Sequence, residues 1–345
     1  MMETSTFLNP ATHMAASNEC YLLPFQDATT TESLAALVAI MTFIRYSRVF
    51  LLEPMLRNIG HLAGEYTHGP KWPAQNQQKL DNFSDFSFRF LYRCVVTALG
   101  LIEFWQSPEW WLDTRQLWEG YPNHFVSNTV QLLYLLQLAY HIEDLGTVLI
   151  QGSSNRKDFK AMLLHHCVTA LLLFGSSFYH ATRIGCIVST LHAITDVPKD
   201  FAKSAKQLEW KRASHVAFAV FVLSWIVCRM ILYPFVYVRS TYTESSALHD
   251  GGMSVQSLNC FIALLSILCL LNLFWFGMMV KLVCDLLANG DAEDPSVKAN
   301  KEEESAWVVT KNEDDDDDAS DISDGTSTTY IESDTHDGDN SLDDQ

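Results

Sequence analysis

Seven long apolar runs constrain the fold of this 345-residue chain more than any other feature. The clearest is Cys260 to Val280, 21 residues without a charged side chain. A helix of about 20 apolar residues crosses the hydrocarbon core of a bilayer. We therefore predict an all-α, polytopic transmembrane helical bundle of about seven spans, with a range of six to eight. The spans lie at approximately 33–52, 88–106, 126–148, 161–179, 184–198, 214–238 and 256–287.

Basic residues alternate between the connections and so orient the predicted bundle. The connections after spans two, four and six carry one each, namely Arg115, Arg183 and Arg239. Those after spans one, three and five carry many more: Arg57, Lys71 and Lys79; Arg156, Lys157 and Lys160; and Lys199, Lys203, Lys206, Lys211 and Arg212. This pattern predicts a lumenal N-terminus and a cytosolic C-terminus. Because residues 1–44 contain no Lys or Arg, we expect no cleavable signal peptide.

The negative charge of the chain is concentrated at its C-terminal end. The net charge is −18, and residues 291–345 hold 20 Asp or Glu against three Lys. So acidic a segment with so few apolar residues cannot bury a core, and we predict a disordered cytosolic tail. Thr310, Thr329 and Ser341 each have an acidic residue three positions later, which favours phosphorylation by acidophilic kinases. The alternative is a tail that only solubilises.

Ionisable residues inside predicted spans indicate a site, because such residues are costly in hydrocarbon and usually functional. His165 and His166 lie ~6–8 Å inside the cytosolic end of span four. His192 and Asp196 are four positions apart on span five, so imidazole and carboxylate can meet. Span three ends with His141, Glu143 and Asp144 at a similar depth. Structural hydrogen bonding between helices and snorkelling to water are the alternatives.

Two further considerations limit the chemistry of this site. Consecutive helical residues differ by about 100° in direction, so His165 and His166 cannot face one point equally. A histidine-rich di-metal centre would need several histidine boxes to fill two coordination spheres, and the sequence has one HH pair. We therefore expect no metal and no resident cofactor.

Residues 158–208 closely resemble the signature motif of ceramide synthases within the TLC-domain family. That motif reads approximately D-F-x-x-M-x-x-H-H-x-x-T, then N-x-x-R-x-G, then H-D-x-S-D-x-x-L-E-x-x-K. The chain has "DFKAMLLHHCVT", "HATRIG" and "HAITDVPKDFAK" at these places. Upstream, "KLDNFSDFSFRFLYR" is similar to a divergent form of the family's entry motif. "WEGYP" and "YLLQLAYHIEDL" also fit.

The resemblance covers roughly residues 75–290 and implies four regions. These are a lumenal segment at 1–32, a first transmembrane helix with its cytosolic connection at 33–74, a TLC-type catalytic transmembrane domain at 75–290, and the acidic tail at 291–345. His180 stands where Asn is usual, and Ala193 stands where the family has an Asp of the active region. The role of that Asp could pass to Asp196 or Asp144.

The resemblance implies an endoplasmic reticulum enzyme that transfers an acyl group from fatty acyl-CoA, its co-substrate, to a sphingoid base. Catalysis would fall to one of His165 and His166 as base or nucleophile, with Asp196, through His192, orienting the imidazole. An imidazole with a pKa near 6.5 can take the proton of an attacking amine. His141, Asp144, Lys157 and Lys160 would bind substrate. The segment 239–254 occupies the place of the family's chain-length loop.

The expected partners are acyl-CoA, the sphingoid base and membrane lipids, and a homo- or hetero-dimer is consistent with the family; we expect no nucleic acid. The alternative is a TLC-domain protein that binds or moves lipid without making a bond. A seven-span receptor is a third, weaker reading, because topology alone does not decide function.

Overall fold

The computed structural model describes residues 31–123, 126–151, 158–244 and 253–289. Within these ranges the chain forms helices and no strand, which confirms the all-α class. The α-helices are, in order, α1 (Thr31–Tyr46), α2 (Glu53–His68), α3 (Trp72–Gln75), α4 (Gln77–Gln106), α5 (Glu109–Leu112), α6 (Asn128–Gln151), α7 (Phe159–Phe178), α8 (Thr182–Gln207), α9 (Lys211–Trp225), α10 (Arg239–Thr243) and α11 (Val255–Asn289).

Irregular helical turns join some of these elements. The π-helical segment Ser47–Leu52 continues α1 into α2, and a second π-helical segment, Ile226–Val238, continues α9 into α10. A short 3-10 turn, Thr114–Leu117, follows α5. Residues before 31, Lys157, and the tail at 291–345 with Thr310, Thr329 and Ser341 lie outside the described residues.

Each of the seven predicted runs falls on helical residues. The ends of the runs agree with the helix ends within about two residues, except where a helix extends further than the run. Three stretches are long and apolar enough to cross a membrane by length and composition: Phe159–Phe178, Lys211–Thr243 and Val255–Asp285. The count of seven spans stays a prediction. Helices α4, α6 and α8 carry buried polar side chains such as Ser87, Gln137 and Thr190, and polar residues lower the mean hydropathy of a helix.

Helix α8 runs through Pro198, near which predicted span five ends, and continues to Gln207. A proline removes a helical hydrogen bond and usually ends or kinks a helix. Here tertiary contacts hold the last turns. Ser204 Oγ lies 2.6 Å from Ser87 Oγ of α4, and Ser214 Oγ of α9 donates to the carbonyl of Ala202 over 3.0 Å.

The same helix forms the centre of the bundle, with 14 of its 26 residues buried. Its most extensive contact is with α4. At Gly100 the two helices approach so closely that an added Cβ would overlap the side chain of Thr190. Because α7 and α8 are joined by a short turn, they run antiparallel, so the start of α7 lies beside the later part of α8. This arrangement brings the conspicuous polar residues of the two helices to one level.

Candidate active site

An open cavity lies among α4, α6, α7, α8, α11 and the π-helical segment Ile226–Val238. Its empty space, counted together with the open solvent at its mouth, is about 610 Å³. Its lining changes in character along the helices. Polar and charged side chains occupy one end, namely Arg93, Gln137, His141, His165, His192, Asp196 and Arg229. The remainder is largely apolar, with Leu172, Leu173, Ile184, Val188, Phe261, Leu265 and Leu268.

The two adjacent histidines face different surroundings. His165 lines the cavity, and its ring meets the ring of Trp275 edge to face at a centroid distance of 5.3 Å. His166 is 5% exposed and turns towards α6, where its Nε2 lies 3.2 Å from Oδ2 of Asp144. The separation follows from the rotation of about 100° between consecutive helical residues. His165 is therefore placed to meet a ligand, and His166 is placed to meet a carboxylate.

Asp144 belongs to a network of ion pairs that links α6 to α1 and α4. Arg89 Nη1 lies 4.0 Å from Asp144, and Arg89 Nε lies 3.1 Å from Asp85. The buried Arg48, in the π-helical segment Ser47–Leu52, lies 2.6 Å from Asp85 and 3.7 Å from Glu143. A buried carboxylate is stable when it is paired and hydrogen-bonded. The network therefore fixes Asp144 against His166 rather than in the cavity, where substrate binding was predicted.

Asp196 is surrounded by cations. It forms no hydrogen bond with His192, although the spacing of four residues predicted that the two side chains can meet. Its Oδ1 lies 2.8 Å from Lys199 Nζ and 2.9 Å from Arg229 Nη2, and its Oδ2 lies 3.5 Å from Arg93 Nε. Three positive side chains from α4, α8 and the π-helical segment thus converge on one carboxylate. The charge attraction of these cations outweighs that of an imidazole on the same helix face.

Both nitrogens of the His192 ring have partners. Nδ1 lies 2.8 Å from the carbonyl oxygen of Val188, and Nε2 lies 3.3 Å from Nδ2 of Asn272. A carbonyl oxygen only accepts, so Nδ1 carries the proton and donates, while Nε2 accepts from the amide of Asn272. This ring is therefore fixed between α8 and α11. Its ring edge also meets Tyr233 at a centroid distance of 5.2 Å.

The remaining predicted substrate-binding residues divide between the cavity and the surface. His141 is buried and lines the cavity, with ring centroids 6.4 Å from His165 and 5.9 Å from His166. Lys160 is exposed on the first turn of α7 and does not line the cavity. Lys157 lies outside the described residues.

Several buried polar atoms on the cavity wall have no hydrogen-bond partner among the described residues. They include Nδ1 of His141, Nδ1 of His165 and Oγ1 of Thr169. Buried polar atoms in proteins nearly always have partners, and exceptions point to strain, function or an unseen ligand. These atoms lie on α6 and α7 and are available to a polar group that enters the cavity.

Sequence reasoning missed Arg229 and Arg93. Arg229 is 4% exposed; its Nε donates to Oγ1 of Thr195 over 2.7 Å, and its guanidinium lies 4.1 Å from the centroid of the Trp225 ring. The signal for Arg229 was present, because a charge inside the apolar run of span six is expensive and usually functional. Arg93 gave no comparable signal, since it is one of two arginines near the edge of span two.

Position 193, where the signature motif has its first Asp, holds a fully buried alanine. It therefore supplies no carboxylate. Among the described residues, the buried acids near this level are Asp144, Asp196 and Asp200. Of these, Asp144 is the one that meets a histidine, at the distance given above. This carboxylate belongs to a different helix, α6, from the alanine, which lies on α8.

Known proteins resemble the chain over most of this region. The family model of the TLC domain matches residues 82–281. ASC1-like protein 3 of Oryza sativa subsp. japonica is 30% identical over 230 residues, 66% of this chain and 80% of that protein. Ceramide synthase LOH2 of Arabidopsis thaliana is 26% identical over 238 residues, 67% and 78% of the two chains. Ceramide synthase 5 of Homo sapiens is 29% identical over 244 residues, 69% and 61% of the two chains. All residues that line the cavity fall within the matched region.

Proposed function

The chain belongs to the TLC-domain family, and from this premise we propose that it joins a fatty acyl group from acyl-CoA to the amine of a sphingoid long-chain base. The product is a (dihydro)ceramide. Relatives named ceramide synthase support the reaction. The carrying observation in this molecule is the cavity itself, in which a histidine-rich polar end continues into an apolar part.

The two parts of the cavity suit the two parts of an acyl-CoA. The thioester is polar and binds beside His165, while the alkyl chain is apolar and packs between Leu172, Leu265 and their neighbours. Burying the chain is favourable by about 0.8 kcal/mol per CH₂ group. The CoA portion, which is highly charged, stays in the cytosol at the mouth of the cavity.

His165 is the general base in this proposal. The neutral amine nitrogen attacks the thioester carbonyl carbon, and the imidazole takes the proton that the amine loses. The C–S bond then breaks, and the departing CoA thiolate receives a proton from the imidazolium. Arg93 and Arg229 supply positive charge near the carbonyl oxygen as it gains negative charge. His166 with Asp144 positions the start of α7.

The seven-span topology is part of the proposal, with the N-terminus lumenal and the acidic tail cytosolic in the endoplasmic reticulum. The distribution of Lys and Arg supports this orientation. Glycosylation acceptor sites added at each end of the chain test it. We expect modification at the N-terminal acceptor alone, and modification at the C-terminal acceptor contradicts it.

The activity is tested in membranes from cells without their own ceramide synthase. The full chain should form N-acyl product from acyl-CoA and a sphingoid base, and His165→Ala should reduce the rate by about 10²–10⁴-fold. His61→Ala is the matched control, because this imidazole is exposed on α2. Full activity of His165→Ala contradicts the role of His165.

A second candidate, lipid binding or transport without bond formation, is favoured by one observation, the alanine at position 193. The same assay separates the two. A chain that binds acyl-CoA or sphingoid base in the membranes yet forms no N-acyl product supports the second candidate.

A further inference from the structure

The cavity follows α7 inwards from His165. The lining residues on this helix are His165, Thr169, Leu172, Leu173 and Ser176. Ser176 lies eleven positions after His165, which at 1.5 Å per residue is a depth of ~16 Å. The polar end and Ser176 are therefore separated by about half the thickness of a bilayer core.

The opposite wall, formed by α8, gives the same depth. Its lining residues run from Asp196 through His192 and Ser189 to Gly185 and Ile184. Asp196 and Gly185 are also eleven positions apart, again ~16 Å. Since α7 and α8 are antiparallel, Ser176 and Gly185 mark the same end of the cavity.

Tyr134 of α6 lies directly behind both of these residues. Its hydroxyl oxygen is 3.0 Å from Ser176 Oγ and donates to the carbonyl oxygen of Thr182 over 3.0 Å. A Cβ added at Gly185 would overlap this hydroxyl. Tyr134, Ser176 and Thr182 are each at most 2% exposed. The Tyr134 hydroxyl group is thus held behind Ser176 and Gly185, at the inner end of the cavity lining on α7 and α8. We call this end of the cavity, backed by Tyr134, the floor.

This floor limits what an extended chain can reach from His165. An extended alkyl chain with C–C bonds of about 1.5 Å advances ~1.25 Å for each bond, so ~16 Å corresponds to about 13 bonds. A longer alkyl chain would have to displace a buried, hydrogen-bonded tyrosine, because close-packed interiors do not yield to added methylenes without strain.

Resting on the proposed acyl transfer, we infer that Tyr134 is a specificity-determining residue that sets the longest acyl chain this protein uses. The preferred chains contain about 14 to 16 carbons. Tyr134 then limits the chain length at the inner end of the cavity, on α6, α7 and α8, in addition to any selection by the segment 239–254.

Competition between acyl-CoAs tests this inference. Membranes with the full chain, from cells without their own ceramide synthase, receive a sphingoid base and an equimolar mixture of saturated acyl-CoAs of increasing length. The N-acyl products are then separated by mass. Tyr134→Ala removes the floor. The ratio of products longer than those of the wild-type chain to products of the wild-type length should rise about tenfold or more. Leu132→Ala, on the exposed face of the same helix, is the matched control and should leave the ratio unchanged.

A second variant acts in the opposite direction. Ser189 lines the cavity about seven positions from Asp196, at a depth of ~10 Å, and Ser189→Leu should shift the products towards shorter chains. If Tyr134→Ala does not accumulate in membranes, the Ser189→Leu variant alone tests whether the length of the cavity sets the length of the acyl chain. An unchanged length profile in the accumulating variants, with product still formed, overturns the role of the floor. Failure of the wild-type chain to form product from any acyl-CoA overturns the proposed function and this inference with it.

Discussion

The Nε2 atom of His166 lies 3.2 Å from Oδ2 of Asp144, on a neighbouring helix, and both side chains are buried. The contact joins α7, which carries the histidine pair, to α6. It also connects that pair to the ion pairs of Arg89 and Asp85. The position of His165 in the cavity therefore depends on charges that lie outside the cavity.

Asp144→Asn should lower the rate of acyl transfer by ~10–10²-fold, because a small displacement of a reacting group is costly. The amide keeps the size of the carboxylate but loses its charge and presents a donor to one nitrogen of His166. The rate in membranes, normalised to protein amount, measures the effect. Asp81→Asn, at an exposed carboxylate paired with Arg57, serves as the control. Wild-type rates for Asp144→Asn would show that His166 needs no carboxylate.

Arg229→Met should destabilise the protein by about 3 kcal/mol or more, because it leaves the buried Asp196 with one fewer cation. It also removes the hydrogen bonds to Thr195 and to the carbonyl of His192. Thermal unfolding of the purified protein in detergent measures the loss as a lower midpoint temperature. Arg239→Met, at an exposed position near the end of the same long helix, should change the midpoint little. Equal midpoints for the two variants would contradict the structural importance of Arg229.

Gly100→Ala should destabilise the contact of α4 with α8, because the new methyl group overlaps the side chain of Thr190. Overpacking of this kind costs ~1–3 kcal/mol. The same thermal measurement applies, and Thr190→Ala in the Gly100→Ala background should recover part of the loss. Gly277→Ala is the control, since an added Cβ there has nothing within 4 Å. Losses that simply add in the double variant would mean that the two residues do not compete for space.

The fold was predictable where the physics is local. Apolar runs of bilayer length determine helices, and each predicted run lies on one. The length of α8 did not follow from the sequence, because a proline such as Pro198 usually ends or kinks a helix when one chain segment is considered alone. Contacts of Ser204 with Ser87 and of Ser214 with Ala202, which come from distant parts of the sequence, keep the helix intact beyond the proline.

The sequence predicted the depth at which the residues of the candidate site lie in the bundle. It did not predict which side chains contact each other. Counting residues from the membrane edge brings His165, His192 and Asp196 to one level, and the structure places all three on one cavity. Which carboxylate meets which imidazole depends on the rotation of each helix about its own axis. Residue spacing within one helix does not determine that rotation. The partners of Asp196 and His166 therefore could not be predicted from the sequence.

The different directions of His165 and His166 have an evolutionary consequence. Two identical neighbours that faced the same way would substitute for each other, so that loss of either would be tolerated. With one imidazole open to the cavity and the other held by Asp144, neither can perform the task of the other. If acyl transfer proceeds as proposed, this pair is then no more tolerant of mutation than two essential residues far apart in the sequence.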